Sequence, residues 1–260
     1  MTTQPHVLAC IDGSAVTESV CDYAAWYAKR LDISVGLLHV SEVAASSRRD
    51  LSGAIGMNSR QYLLDELSQL DEQRAKVVNS YSTALVQDAK SHIQSHFDAV
   101  DVQIYQRRGK LLPAIEHFKE QNCAIVMGRR GEDHKHSRIN IGSQIETVAR
   151  ASSVPVLICS EQFKEPHSYM IAFDASKTAN NAVTMLSKSK LLKGMQGHIV
   201  MVGNDNAAAK KSLIDARAQM VAAGFIVEAH HLQQIDALNG LLAFKMEHQI
   251  DIIVVGAYGR

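Results

Sequence analysis

The chain of 260 residues lacks any charge excess: 27 Lys and Arg are matched by 27 Asp and Glu. A protein that grips a phosphate backbone shows a basic surplus, so nucleic acid is excluded as the main partner, although a local basic patch is not. No apolar run approaches the roughly 20 residues a helix needs to cross a bilayer, so no membrane partner is expected. The polar start, Met1 to His6, lacks the apolar stretch of a secretory signal. Cysteine is scarce. Cys10, Cys21, Cys123 and Cys159 include no CxxC pair, and three of them sit inside short apolar runs. That pattern fits reduced, buried thiols of a cytoplasmic protein rather than a disulfide framework. Catalytic signatures are missing too. No Walker-type phosphate loop, GxGxxG, HExxH or GxSxG occurs, and no nucleophile stands beside a recognisable base.

What is present is a folded composition, 46% hydrophobic and 21% charged. The length exceeds one domain of about 100–150 residues and suits two. Short apolar runs stand at His6–Asp12, Ser34–Val40, Val100–Tyr105, Ala124–Gly128 and Val154–Cys159. Each is apolar nearly throughout instead of alternating, as a strand buried on both faces reads, which points to a parallel sheet. Helical patterns lie between them. Thr17–Leu31 places Val20, Ala24, Tyr27, Ala28 and Leu31 on one stripe. Lys110–Gln121 and Gln144–Ala151 behave likewise. Strand and helix in alternation give βαβ units and a doubly wound α/β fold. Residues 42–60 break the rhythm and read as an exposed loop, either a decorated crossover or a lid or partner-binding segment. From Gln61 to about His96 a long helical pattern follows, as one helix or two.

The second part of the chain repeats the first. SYMIAFD, ending at Asp174, echoes VLACID, ending at Asp12, and Asp174-Ala175-Ser176 matches Asp12-Gly13-Ser14. Val40 follows Asp12 by 28 residues, and Val202 follows Asp174 by 28. IIVVG, ending at Gly256, matches IVMG, ending at Gly128, and each has another glycine three residues on. The duplication divides the chain into domains at 1–162 and 167–260, with a polar linker holding Pro166. The second copy stops at Arg260, before a Gly-Ser pair, a last helix or a last strand. The expectation is therefore a natural protein that continues by roughly 40 residues.

Ligands of open parallel sheets bind beyond the carboxyl ends of the strands. Asp12 closes the first strand of copy one and Gly128-Arg129-Arg130-Gly131 the fourth, while Gly142-Ser143 opens the next helix. Glycines let backbone N–H groups converge on an anion, and a helix N-terminus carries about half a positive charge. Each signal has a plain alternative. Asp12-Gly13-Ser14 can simply turn a strand into a capped helix, and Gly128 and Gly131 can be turn glycines.

The order VLACIDGS, GLLHV, IVMGRRG, GSQIETVARASSVPVLIC resembles the universal stress protein family. The resemblance covers copy one and copy two to the chain end, so the chain resembles a tandem universal stress protein. It implies two Rossmann-like parallel sheets in the order 3-2-1-4-5, the second copy incomplete at its C-terminus. It also implies an adenine nucleotide, ATP above all, with Mg²⁺ as an accompanying ion. Asp12 would lie near the nucleoside and Val40 would offer its backbone to adenine. Gly128 and Gly131 would admit ribose and phosphates, and Gly142 and Ser143 would bind phosphate. Asp174, Val202, Gly256 and Gly259 are the weaker equivalents in copy two. The copies would pair as a pseudo-dimer, with a homodimer as a further assembly. Between Gly131 and Gly142 the chain has ten residues where the family has nine, and Glu132 and Asp133 stand beside the proposed phosphates.

Three functions follow: a nucleotide-binding signalling module of the stress response, an interaction protein of the same fold with a vestigial pocket, or a weak Mg²⁺-dependent ATPase. The longer loop and its acidic pair favour the second. Metal ligation is not expected. His134 and His136 read as part of a basic loop, and the adjacent His230 and His231 in a strand point to opposite faces and cannot share an ion. Arg107-Arg108 and Arg129-Arg130 either meet phosphates or are solvated strand ends.

Overall fold

The computed structural model of the chain describes residues 5–41, 57–129, 143–203, 206–233 and 236–256. Two compact units divide it, Met1–Val148 with Ser152–Phe163, and Lys164–Arg260 with Ala149–Ala151. The first unit contains β1 (His6–Ile11), α1 (Thr17–Leu31), β2 (Ser34–Ser41), α2 (Met57–His96), β3 (Val102–Arg108), α3 (Leu111–His117), β4 (Asn122–Gly128), all but the last three residues of α4 (Ser143–Ala151), and β5 (Val156–Cys159). The second contains β6 (Ser168–Ala172), α5 (Lys177–Lys188), β7 (Gln196–Val202), α6 (Ala207–Ala222), β8 (Ile226–Leu232), α7 (Ala237–Glu247) and β9 (Ile252–Val255). Every strand pairing in both sheets is parallel. The orders are β3-β2-β1-β4-β5 and β8-β7-β6-β9, so both units are doubly wound and the second sheet has four strands.

The central strands are apolar on both sides because both sides are covered. Val7, Leu8 and Ala9 of β1 are fully buried, as are Leu37 and Leu38 of β2. Leu8, Leu38 and Ile125 turn to the face covered by α3 and α4, where Ile115, Phe118, Ile145 and Val148 meet them. Each such side chain contributes about 1.5–3 kcal/mol on burial. The opposite face is covered by α1 and α2, which bring Val20, Ala24, Ala28, Val86 and Ile93 into the core. α1 ends where Asp32 turns left-handed at φ 56° and returns its N–H to the Ala28 carbonyl. In the second unit side chains cap all three helices. Ser176 accepts from the Ala179 amide, Asn206 from the Ala209 amide, and Asp236 from those of Leu238 and Asn239.

Several boundaries differ from the sequence expectation. β3 starts two residues late and runs on through Gln106, Arg107 and Arg108. It is an edge strand paired with β2 alone. Backbone pairing carries it forward while its last three side chains stay exposed, so apolarity does not mark its end. β5 begins at Val156, not Val154, because the Ser152 hydroxyl takes both the N–H and the carbonyl of Val154 into a local turn. α3 ends at His117, and Phe118 is buried from a turn beyond it. α2 is one helix and begins at Met57, inside the segment read as a loop. The rest of that loop lies outside the described residues.

Candidate functional site

The sheet order sets the carboxyl ends of β2, β1 and β4 side by side. Val40, Asp12 and Gly128 are thus brought to one crest, at the point where the chain direction of winding reverses between β1 and β4. Asp12 follows the last residue of β1, and its Oδ1 accepts the Ser14 N–H at 3.0 Å. Gly13 between them has φ +80° and donates its N–H to Thr17 Oγ1 at 3.1 Å, so the Asp-Gly-Ser turn feeds directly into α1. The hydroxyl of Tyr81, from α2, crowds the place a Gly13 side chain would occupy. Val40 is half-buried and packs with Cys10 and Tyr105 against the α3–α4 core. The end of β2 is held on both sides. His39 Nδ1 lies 3.0 Å from the Ile11 carbonyl, and the Ser41 carbonyl accepts the Gly109 N–H at 3.0 Å.

Gly128 is a glycine for a reason internal to the fold. A Cβ there would lie 2.3 Å from Val16 Cγ2 and 3.5 Å from Val20 Cγ2, so the absent side chain admits α1 against β4. Gly131 and Gly142 lie outside the described residues. So do Glu132, Asp133, His134, His136 and Arg130. Ser143 opens α4, a helix of nine residues with Glu146 in its first turn.

The second unit repeats the arrangement. Asp174 follows β6, a central strand, and accepts the Ser176 N–H at 2.9 Å. Ser176, against the opposing pull of desolvation, holds the Asp174 carboxyl below the usual carboxylate range. Ala175 between them has φ 63°, matching Gly13. Val202 ends β7 beside the cluster of Met170, Val200 and Phe244. At Gly256 a Cβ would lie 2.6 Å from the Thr178 carbonyl carbon and 2.8 Å from the Ala179 nitrogen, so here the glycine admits the backbone of α5. Gly259 lies outside the described residues.

A cavity of about 350 Å³ opens near the ends of β2 and β3, beneath α2. His39, Ser41, Asn79, Gln106, Arg107 and Arg108 line it, and neither Asp12 nor Gly128 does. His39 and Ser41 face α2, while the Val40 side chain between them turns to the α3–α4 side. The paired arginines are partly engaged. Arg108 donates to Asn79 Oδ1 at 2.6 Å, and the Arg107 guanidinium lies 5.5 Å from the centroid of the Phe118 ring. Sequence alone does not reveal this cavity, because α2 has no local signal for where its Asn79 turn lands. No helix among the described residues is long and apolar enough to cross a membrane. The four cysteines are free. Burial, assisted by Asp12, pushes the Cys10 thiol up to about 12, and burial raises Cys21 to about 12 as well.

Two parallel sheets wound on both faces, with an Asp-x-Ser turn and a packing glycine at the crest of each, define a tandem Rossmann-like α/β protein. The universal stress protein family model matches residues 5–160, and the chain belongs to that family. It is 29% identical over 260 residues to universal stress protein Slr1230 of Synechocystis sp., a match that spans 98% of this chain and 90% of that protein. The solved structure of a universal stress protein from Archaeoglobus fulgidus DSM 4304 shares the fold at a TM-score of 0.63 and 21% identity, over 98% of this chain and 87% of that one. A structure of the same family from Pseudomonas aeruginosa UCBPP-PA14 shares it at 0.56 and 13%, over 97% and 82%.

Proposed function

We propose that the first unit binds an adenine nucleotide across the carboxyl ends of β2, β1 and β4, and that the protein acts as a nucleotide-responsive module of the stress response. One observation carries the reading: the order 3-2-1-4-5 sets Val40, Asp12 and Gly128 on adjacent strands at the winding reversal of the sheet. The groups there suit a nucleotide chemically. A strand-end backbone at Val40 can meet the base edge, and the Asp12 carboxylate can accept a ribose hydroxyl. The N-terminus of α4, with Gly142 and Ser143, offers N–H groups and a favourable dipole to phosphate. Gly131, without a side chain, would let backbone approach the phosphates. Glu132 and Asp133 are the acidic groups through which Mg²⁺ would join ATP. Asp174, Val202, Gly256 and Gly259 form the weaker second candidate. Binding rather than turnover is the activity proposed.

The packing role of Gly128 and the Tyr81 hydroxyl over Gly13 favour a second reading, in which the crest is architecture and the protein works through interactions alone. Calorimetry on the full chain with ATP, ADP and AMP separates them. The wild type should bind at least one of the three. Gly131→Val with Gly142→Val should weaken that binding at least tenfold, about 1.4 kcal/mol, while the core is untouched. No measurable affinity in the wild type, or unchanged affinity in the double variant, rejects the site.

A further inference from the structure

We propose that His198, Glu228 and His230, with the His248 ring beside them, form a binding site for a divalent transition metal of the zinc class in the second unit. The three leading groups come from neighbouring strands. His198 is on β7, Glu228 and His230 are two apart on β8, and the parallel register sets His198 opposite Glu228 and Val200 opposite His230. All three therefore stand on one face of the sheet, the face where Val200 and Phe244 of α7 build the core. His231 turns the other way, toward the Gly203 carbonyl. The two adjacent histidines thus do not share an ion, as strand parity requires. The partner of His230 comes from the next strand instead.

Two of the three ligand-atom spacings suit a tetrahedral ion. His198 Nδ1 lies 3.0 Å from His230 Nε2, and His230 Nε2 lies 3.6 Å from Glu228 Oε2. All three ligand atoms fall within 4.8 Å of one another. Bonds of roughly 2.0–2.1 Å at tetrahedral angles put ligand atoms roughly 3.3 Å apart, between the two close spacings here. His248, the residue just past α7, brings a third imidazole. Its ring centroid is 5.3 Å from that of His198 and 5.8 Å from that of His230, and it stacks on Phe244 at 4.0 Å. Phe244 also lies 4.8 Å from the His230 ring and 5.5 Å from that of His198, so one wall of the site is apolar. His198 is 5% exposed, whereas the Glu228 side chain is 62% exposed. The site is thus anchored at the buried end and open to solvent at the other, which gives an ion its entry path.

The chemistry selects the ion. Imidazole and carboxylate without thiolate suit Zn²⁺, with Co²⁺, Ni²⁺ and Cu²⁺ as competitors, and do not suit Mg²⁺ or Ca²⁺, which want oxygen ligands. His198 lies in the amino half of β7 and Glu228 and His230 flank the middle of β8, and none of them belongs to the nucleotide reading. Bound metal would join β7 and β8, which sequence places far apart.

The test uses the full chain, stripped with a chelator and titrated with Zn²⁺ in the presence of a competing chelator. We expect one tight equivalent, a melting temperature that rises with Zn²⁺ concentration, and a tetrahedral absorption spectrum on loading with Co²⁺. His230→Ala and Glu228→Gln should each weaken Zn²⁺ binding by at least about tenfold, the lower end of what even outer-shell losses cost a metal site. Glu228→Gln is a surface change and leaves the fold intact, so it decides the matter should His230→Ala unfold. The pair His92→Ala with His96→Ala removes two neighbouring imidazoles on α2, tilted with centroids 4.5 Å apart, and should leave the affinity unchanged. Absence of a tight equivalent overturns the proposal. So does binding that survives His230→Ala or Glu228→Gln, or that disappears in the His92–His96 variant. The 3.0 Å contact is then a single hydrogen bond between neutral imidazoles.

Discussion

Gly128→Ala should destabilise the first unit, and Val16→Ala should rescue it. The Cβ of the new alanine would sit 2.3 Å from Val16 Cγ2 and 3.2 Å from Val16 Cβ, against about 3.5–4.0 Å for a favourable carbon contact. Val16 cannot easily swing aside. It is β-branched, 5% exposed, and fixed at the N-cap of α1 with φ −94° and ψ −1°. Overpacking of this kind costs about 1–3 kcal/mol. Val16→Ala alone removes two buried methyl groups and should cost about 1.6 kcal/mol at ~0.8 kcal/mol for each carbon. In the double variant the methyl at 128 occupies the space vacated by Cγ2. The pair should then be no less stable than Val16→Ala alone, a coupling of about 1–3 kcal/mol. Trp26 makes the measurement clean: it is the one tryptophan of the chain, 3% exposed, and belongs to α1. Its fluorescence during urea unfolding reports the first unit without the second. Additive effects, or a neutral Gly128→Ala, would refute the claim that α1 presses on this glycine. Gly256→Ala is the contrast. Its clash is with Thr178 and Ala179 backbone atoms, so no side-chain truncation on α5 should restore it.

Ala175→Gly should stabilise the second unit by up to about 1 kcal/mol. The left-handed φ of 63° strains an alanine by about 1–2 kcal/mol, and added glycine entropy returns part of the gain; thermal unfolding would show an unchanged or lower midpoint if the turn relaxes freely. Asp251 accepts from Lys164 Nζ at 2.8 Å, the His167 N–H at 2.9 Å, and both N–H and hydroxyl of Ser168 at 3.2 Å. Desolvation alone would raise its carboxyl, but these donors outweigh it and hold the value below the usual carboxylate range. A depressed folded pKa stabilises above the unfolded value, near 4, and that stability is lost as pH falls through the folded value. Asp251→Asn should therefore cost about 1–2 kcal/mol at neutral pH and flatten the acid limb of a stability-versus-pH curve; an unchanged limb would count against the clamp. Asp236→Ala removes a cap that bonds two amides of α7 and should cost about 1 kcal/mol, read as a lower urea midpoint. Thiol reagent should reach Cys21 only on unfolding, because it is 1% exposed and burial keeps it protonated at neutral pH; rapid labelling of Cys21 in the native chain would contradict the burial.

The central strands were legible because burial on both faces leaves a continuous apolar run, as in VLACI and AIVM, and because the duplicated run reappears at the same spacing from its aspartate. The edges were not. β3 ends in Gln106, Arg107 and Arg108, and such residues satisfy an edge strand whose outer side meets solvent, so composition cannot tell strand from loop there. α2 begins earlier than its apolar period: residues 66–81 are mostly exposed, and a stripe is needed only where Ser82, Val86, Ala89 and Ile93 meet the core. The histidine cluster was hidden for a different reason. Parity along β8 correctly separates His230 from His231, but the partner His198 is set by the β7–β8 register, a property of two strands whose pairing no local pattern states.

The two copies also separate architecture from ligand chemistry. Asp12 and Asp174 occupy matching places and each accepts the amide of the serine two residues on. Gly128 and Gly256 likewise match, and each makes room for the first helix of its own unit. All four thus have a complete structural reason that operates in both units, whether or not a nucleotide is held. A sequence motif built on these residues alone would identify the fold without identifying a ligand. The residues whose replacement separates the two are those that the nucleotide proposal adds to these four: Gly131, Gly142 and Ser143 in the first unit. It follows that Gly128→Ala combined with Val16→Ala, stable yet altered at the crest, is the informative partner to the Gly131–Gly142 variant. Loss of nucleotide in the latter with retention in the former would place the phosphates at α4 and leave Gly128 to the packing of α1.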